Sequence, residues 1–212
     1  MAIGSGAGGT SQIDDAVAIG NNAGNLNQAQ ASVAIGMNSG FQTQGTQAVA
    51  VGFQAGSFSQ GAGACAIGVN AGAGLSGLNF QGASAVAVGN GAGQNTQGAN
   101  AVAVGLNAGN SGQLASAVAI GISAGSLNQG NSSVAIGASA GQSNLQTNCI
   151  AIGNLACQNS SIANSICLNA SGIALNTTTA GFFVNPIRQI PLAGVPTNVL
   201  YFNPATNEIL RG

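Results

Sequence analysis

A short motif that returns at a fixed spacing constrains this chain more than any other feature. The string Ala-Val-Ala-Ile-Gly, or a close variant of it, ends on a marker glycine ten times between Gly4 and Gly153. Successive marker glycines are sixteen positions apart, except that Gly68 and Gly89 are twenty-one positions apart. An eleventh, altered copy reads Ile-Cys-Leu-Asn at 166–169. Such a regular period predicts a stack of similar structural units, each of which contacts its neighbours.

The length of the period selects the kind of stack. Helical repeat units need about 33 to 47 residues, whereas a period of sixteen suits one coil of a β-solenoid. The Val-Ala-Ile step is typical of a short strand, and the glycine after it marks a turn. Because the first proline is Pro186, every coil keeps its backbone donors. The predicted turn residues are Gly20, Gly36, Gly52, Gly68, Gly89, Gly105, Gly121, Gly137 and Gly153. The sequence therefore predicts an all-β fold, a parallel β-roll or β-solenoid of about eleven coils.

One gap between marker glycines is longer than the others. The additional residues lie in the stretch from Ala73 to Phe80, and the repeat resumes in phase after it. An insertion that leaves the period intact is typical of a loop that protrudes from one coil.

Side-chain alternation within each predicted strand gives two apolar faces. We expect the larger residues to fill the coil core: Val17, Ile19, Val33, Ile35, Val49, Val51, Val86, Val88, Val102, Val104, Val118, Ile120, Val134 and Ile136. The residue between them is a uniform alanine, which we expect to face another chain at close range: Ala18, Ala34, Ala50, Ala66, Ala87, Ala103, Ala119, Ala135 and Ala151. The alternative is that alanine is merely tolerated on an exposed face.

Composition excludes several function classes. Charged residues make up 2% of the chain, there is no Lys or His, and the charged side chains are Asp14, Asp15, Arg188, Glu208 and Arg211. Acid–base catalysis, metal binding and phosphate neutralisation depend on such groups. We therefore expect no enzymatic activity, no catalytic or metal-binding residues, no cofactor and no nucleic-acid partner.

Apolar runs are only a few residues long, so no membrane insertion is expected. The four cysteines, Cys65, Cys149, Cys157 and Cys167, replace repeat residues: Cys65 stands at a Val position, Cys167 at an Ala position, and Cys157 at the position four residues after a marker glycine, where the other copies have a second glycine. We interpret them as small buried hydrophobic residues rather than disulfides or zinc ligands. Free buried thiols favour assembly in a reducing compartment.

The string Ser-Val-Ala-Ile-Gly, at 32–36 and 133–137, resembles the head repeat of trimeric autotransporter adhesins, the YadA-like heads. The resemblance covers roughly residues 1–170. It implies a left-handed parallel β-roll, and it implies a homotrimer in which three rolls lie side by side. The alanine column independently favours such an interface between chains.

Composition changes near residue 172, because all four prolines and the lone Tyr201 lie beyond it. We therefore divide the chain into a β-roll repeat domain, residues 1–171, and a C-terminal capping or trimerisation segment, residues 172–212. Residues 199–202 and 208–210 read as strands joined by a turn at 203–207, which predicts a β-hairpin cap. The sequence Leu-Tyr-Phe-Asn-Pro-Ala-Thr-Asn-Glu-Ile resembles the segment that precedes the self-cleaving chaperone domain of phage and large-virus fibres.

These observations favour a structural fibre or appendage protein that forms a rigid homotrimeric rod. The expected location is a virion surface, an extracellular site or a cell surface. The alternative is an adhesin head that binds a host matrix protein or a glycan through a polar Asn/Gln face.

Overall fold

The computed structural model describes residues 1–74, 80–159 and 161–187, and the backbone of two further strands at 200–203 and 208–211. No helix occurs within these ranges. The strands are β1 Ala2–Ile3, β2 Val17–Ile19, β3 Val33–Ile35, β4 Val49–Val51, β5 Cys65–Ile67, β6 Val86–Val88, β7 Asn95–Gln97, β8 Val102–Val104, β9 Ser111–Gln113, β10 Val118–Ile120, β11 Val134–Ile136, β12 Ile150–Ile152, β13 Ile166–Asn169, β14 Phe182–Asn185, β15 Leu200–Asn203 and β16 Glu208–Arg211.

Twelve strands form one parallel sheet that runs along the stack, in the order β1 to β6, β8 and β10 to β14. Each strand pairs with the one a coil away in strict register, so that Ala18 lies opposite Ala34 and Val118 opposite Val134. This confirms the predicted all-β parallel solenoid of about eleven coils. On another wall, β7 pairs in parallel with β9, and isolated parallel bridges join glutamines of successive coils.

The register continues across the insertion after Ala73. Cys65 pairs with Val86, and Gln60 forms a bridge with Gln81, although the insertion lies between the members of each pair in sequence. The repeat therefore resumes in phase, as predicted. Residues 75–79 of the predicted loop lie outside the described residues.

Left-handed backbone conformations turn the chain tightly in each coil. They recur two, seven and eleven residues after most of the marker glycines; after Gly20 they are Asn22, Asn27 and Ala31, with φ of 54°, 54° and 55°. Asn tolerates this conformation better than most L-residues. The marker glycines lie at bends with φ from 108° to 130°. At Gly105 a Cβ would stand 2.7 Å from the carbonyl oxygen of Gly121 in the next coil, so this close approach requires glycine.

These corners leave an interior in which only a small side chain fits at the middle position of each strand. A Cβ on Gly125 would lie 3.3 Å from the Cβ of Ala119, on the opposite wall of the same coil. The middle residue of each strand points into this space and is fully buried within one chain. The residues concerned are Ala18, Ala34, Ala50, Ala66, Ala87, Ala103, Ala119, Ala135 and Ala151. The prediction that this alanine column faces another chain is therefore wrong.

The larger strand residues lie on the opposite side, which also reverses the prediction. The sequence predicts a core of Val17, Ile19, Val33, Ile35, Val49, Val51, Val86, Val88, Val102, Val104, Val118, Ile120, Val134 and Ile136, but each of these is half-buried or exposed on the outside of the coil. The physical reason is volume, because the space at the middle strand position has room for a methyl group and not for a branched side chain.

The sheet extends beyond the boundary predicted at residues 171 and 172. Strand β14 pairs in parallel with β13, and Phe183 continues the inner column that holds Cys167. Farther on, β15 pairs antiparallel with β16, so the expected hairpin strands do pair. Residues 204–207 of the predicted turn lie outside the described residues, and capping of the last coil by this hairpin stays a prediction.

Candidate interaction surface

The outer side of the long sheet forms a continuous apolar surface. We define the outer apolar face as the first and third residues of β2 to β6, β8 and β10 to β14. They form two columns, with Val, Cys, Ile or Phe in the first and Ile, Val or Leu in the third. The third column is the more exposed, as at Ile67 with 41% and Ile152 with 40% of its surface accessible.

A separate row of apolar side chains, on the flank of this face, widens it on one side. It consists of the residues directly after the marker glycines, which are exposed by 39% to 58%: Met37, Phe53, Val69, Leu106 and Ile122. Eleven strands stacked at about 4.8 Å give a surface about 50 Å long, and the two columns give a width of roughly 10 Å. With the five flank residues the apolar area is about 600 Å², at the upper end of the 300–600 Å² of the largest patch on a typical monomer.

No ionised side chain interrupts this surface, because no Asp, Glu, Lys or Arg occurs between residues 16 and 187. Edges and faces of ordinary β-proteins use such charges to prevent association. The polar atoms nearest to the strands are backbone groups already paired between coils, as where Val118 N donates to Ser133 O at 2.9 Å. The outer apolar face can therefore be covered without leaving a charge unpaired.

Cys65 occupies a first-column position of the outer apolar face. Its thiol is free and half-buried, and burial raises its pKa above the usual 9.0. The other three cysteines are fully buried, as predicted for small hydrophobic residues. Cys65 is consequently the thiol that a reagent in solution reaches most readily.

The interior contains a polar feature that we call the glutamine ladder: Gln28, Gln44, Gln60, Gln81, Gln97, Gln113 and Gln129. These side chains are 0% to 2% exposed. Each Nε2 donates to a strand carbonyl, as from Gln113 to Val102 O at 2.9 Å. From Gln60 to Gln113 each Nε2 also donates to the Oε1 of the next ladder residue at 3.1 Å. Amide groups thus hydrogen-bond along the axis of the coil beside the alanine column.

Each glutamine of the ladder occupies space that a side chain would need at a glycine earlier in the same coil, four residues before it in most coils. A Cβ on Gly109 would stand 2.6 Å from the Oε1 of Gln113. Two later coils vary this pair: Leu145 takes the glutamine position beside Gly141, and Ser161 takes it where Cys157 replaces the glycine. A larger residue at one position therefore accompanies a smaller one at the other, which conserves volume.

The sequence analysis placed Asn and Gln on a polar outer face, whereas the glutamine ladder is inside. The available signal was strict recurrence eight residues before the next marker glycine, whereas surface residues vary between coils. Other amides do lie outside and form rows, such as Asn128 Nδ2 to Asn144 Oδ1 at 3.0 Å and Gln158 Nε2 to Gln142 Oε1 at 3.2 Å.

Three thiols meet where the repeat changes near its end. Cys157 N donates to the Sγ of Cys167 at 3.2 Å, and the Sγ of Cys149 is 3.4 Å from Ser161 Oγ. Burial, with a smaller contribution from Cys167, raises the pKa of Cys157 to about 12. The Cys157 thiol therefore stays protonated and poorly nucleophilic at neutral pH. Within the described ranges, no group of three or more His, Cys, Asp or Glu is arranged to hold a metal ion.

Comparison with protein-family models, with curated proteins and with solved structures finds no match for this chain. The described part of the chain contains no helix that is long and apolar enough to span a membrane. The outer apolar face is the feature of the described surface that most needs a partner.

Proposed function

We propose that this protein is a structural component that self-associates through its outer apolar face into a rigid homotrimeric rod, part of a fibre or appendage on a virion or cell surface. The observation that carries the proposal is the uncovered, charge-free Val/Ile surface along the sheet. A catalytic role is not proposed, because no Asp, Glu, Lys, Arg or His for acid–base chemistry occurs between residues 16 and 187.

A second copy of the same chain is the partner that fits this face best. Both columns repeat at the coil spacing along the sheet, so two copies present surfaces of matching length and spacing. An area of about 600 Å² per copy is of the same order as the ~800 Å² that each partner buries in a standard stable interface. A closed ring of three copies covers every face and leaves none to recruit further chains.

Rigidity supports the structural role. Each coil is joined to its neighbours by parallel strand pairing, by backbone bonds at the corners, and by the glutamine ladder inside. A corner bond of this kind runs from Ser123 N to Leu106 O at 2.8 Å. A stack bonded on every wall resists bending, as a fibre segment requires.

The adhesin alternative has less support. The most regular amide column, the glutamine ladder, is buried and cannot contact a host protein or glycan. Surface amides are partly engaged with each other across coils, as between Asn110 Nδ2 and Gln94 Oε1 at 3.1 Å. A role in binding a host surface would have to use the remaining groups of these rows.

The test is the mass of the full chain in solution, measured by light scattering on a size-exclusion column. We expect three times the chain mass of 20.2 kDa. Ile120→Glu places a carboxylate in the outer apolar face, at a side chain that is 38% exposed. Because that face would become buried, the charge should dissociate the oligomer.

Leu127→Glu is the matched control, since Leu127 is 47% exposed on a different wall. We expect this variant to keep the mass of the unchanged protein. A monomeric unchanged protein, or an oligomer that Leu127→Glu disrupts and Ile120→Glu does not, would refute association through the outer apolar face.

A further inference from the structure

The first column of the outer apolar face ends in an aromatic side chain. Phe182 pairs in parallel register with Ile166, which pairs with Ile150, so all three belong to one column. The column consists of valines up to Val134, apart from Cys65, and then changes to Ile, Ile and Phe toward the end of the sheet. Phe182 projects outward and is 56% exposed. An aromatic ring held outward by a paired strand is a candidate anchor for a partner.

The other side of the same face carries an apolar groove at the same height along the roll. Its volume is about 340 Å³, and its lining includes Ile152, Leu168 and Val184, which are three successive residues of the third column, together with Ala170 and Pro186. Val184 and Phe182 belong to the same strand, so the anchor and the groove lie at one level.

A small residue on the flank of the face lines the groove. Ala170 occupies the position directly after Asn169, which corresponds to the position after a marker glycine. Five earlier coils place a large apolar side chain there, namely Met37, Phe53, Val69, Leu106 and Ile122, whereas the two preceding coils place Ala138 and Asn154 there. The flank therefore carries no large apolar side chain at the end of the sheet where the first column gains an aromatic ring.

Symmetry decides which columns of two copies meet. A rotation axis parallel to the roll axis relates two copies without changing the height of any residue. It places the two outer apolar faces against each other, with their strands running in opposite directions. The first column of one copy then lies against the third column of the next. This holds for a pair and for a closed ring of three.

We propose that Phe182 of one copy inserts into the groove between Ile152, Leu168 and Val184 of a second copy, and that this contact fixes the copies parallel and in register. The inference rests on the proposed self-association and adds its orientation. An antiparallel pair would place Phe182 near β1 of its partner, where the sheet begins, and would leave the groove empty.

The first test is Phe182→Ala in the full chain, with oligomer dissociation followed by analytical ultracentrifugation over a dilution series. Loss of a buried aromatic anchor should raise the concentration of half-dissociation at least about tenfold. Phe80→Ala is the control, because Phe80 is 50% exposed but lies beside the glutamine-ladder wall. It should leave the dissociation unchanged. Filling the groove from within by Ala170→Trp should weaken association as Phe182→Ala does.

The orientation is tested by oxidative crosslinking of the double variant Phe182→Cys/Leu168→Cys. Each new disulfide would join two thiols of different copies and release two protons and two electrons to an added disulfide oxidant. We expect covalent dimers and trimers on non-reducing gels from the double variant, and no such products from either single variant.

The outcomes separate the two proposals. A monomeric unchanged protein would overturn the proposed function and this inference with it. An unchanged protein that is oligomeric, with Phe182→Ala and Phe80→Ala dissociating alike, would overturn only the inserted Phe182. Crosslinked dimers from Phe182→Cys alone would overturn the insertion of Phe182 into the groove, because residue 182 would then meet its own counterpart instead of Leu168.

Discussion

Replacement of one glutamine in the ladder tests how the interior is held together. Gln113 is fully buried and donates to Val102 O at 2.9 Å and to Ala117 O at 3.3 Å. It also donates to Gln129 Oε1 and accepts from Gln97 Nε2, each at 3.1 Å. Because one amide has two N–H groups, the side chain makes the equivalent of about three full hydrogen bonds, each contributing roughly 1 kcal/mol net.

Two substitutions separate hydrogen bonding from volume. Gln113→Leu keeps most of the volume, as Leu145 does at the corresponding position, and should lower the free energy of unfolding by about 2–3 kcal/mol. Gln113→Ala removes the same bonds and also leaves a cavity, which adds about 1–2 kcal/mol. Gln30→Leu, at an exposed glutamine, should change stability by less than about 0.5 kcal/mol.

The assay is denaturant unfolding followed by circular dichroism at one fixed chain concentration, since association would add to apparent stability. The expected order of stability is Gln30→Leu, then Gln113→Leu, then Gln113→Ala. If Gln113→Leu unfolds at the midpoint of the unchanged protein with the same slope, the ladder contributes no net stability and the reasoning fails.

Three further predictions concern the alanine interior, the marker glycines and the buried thiols. Ala119→Leu should lower the free energy of unfolding by about 1–3 kcal/mol through overpacking, whereas Ala115→Leu on the exposed surface should not; equal melting temperatures for the two would contradict an alanine-lined core. Gly105→Ala should cost about 3 kcal/mol or more, because the new Cβ meets backbone of the next coil at a φ of +126°. Ser123→Gly, at a φ of 54°, should change stability by less than about 1 kcal/mol in a thermal melt. Burial raises the pKa of Cys157 from 9.0 to about 12, so stability is full below pH 9 and falls as pH rises toward 12, where the unfolded chain loses the proton first. Urea titrations at pH 8 and pH 11 should show a smaller loss in Cys157→Gly than in the unchanged protein, and an equal loss would exclude Cys157 as the cause.

Much of the fold could be predicted from spacing alone. The marker glycines fixed the length of a coil, and the Val-Ala-Ile step located β2 to β6, β8 and β10 to β12. Strict recurrence also implied the parallel register, because identical strands one coil apart pair residue for residue. The strands β7 and β9 were not predicted, since Asn-Thr-Gln and Ser-Gly-Gln carry no alternation of apolar residues.

The prediction exchanged the inner and outer faces of the strands in the long sheet. Alternation in Val17, Ala18 and Ile19 shows that two faces differ, but it does not say which face is inside. Hydrophobicity favoured Val and Ile for the core. The structure selects Ala18 instead, because the left-handed corners at Asn22, Asn27 and Ala31 leave too little space for a branched side chain at the middle strand position.

The sequence by itself determined that this chain is a stack of coils with a charge-free body and an uninterrupted apolar column on each strand face. Periodicity carries that information, since it depends only on the order of residues. Only the tertiary structure decided that the alanines and the glutamine ladder are inside and that Val and Ile are outside. The width of a coil depends on how its corners turn in three dimensions, and that width sets which side chains the interior can hold.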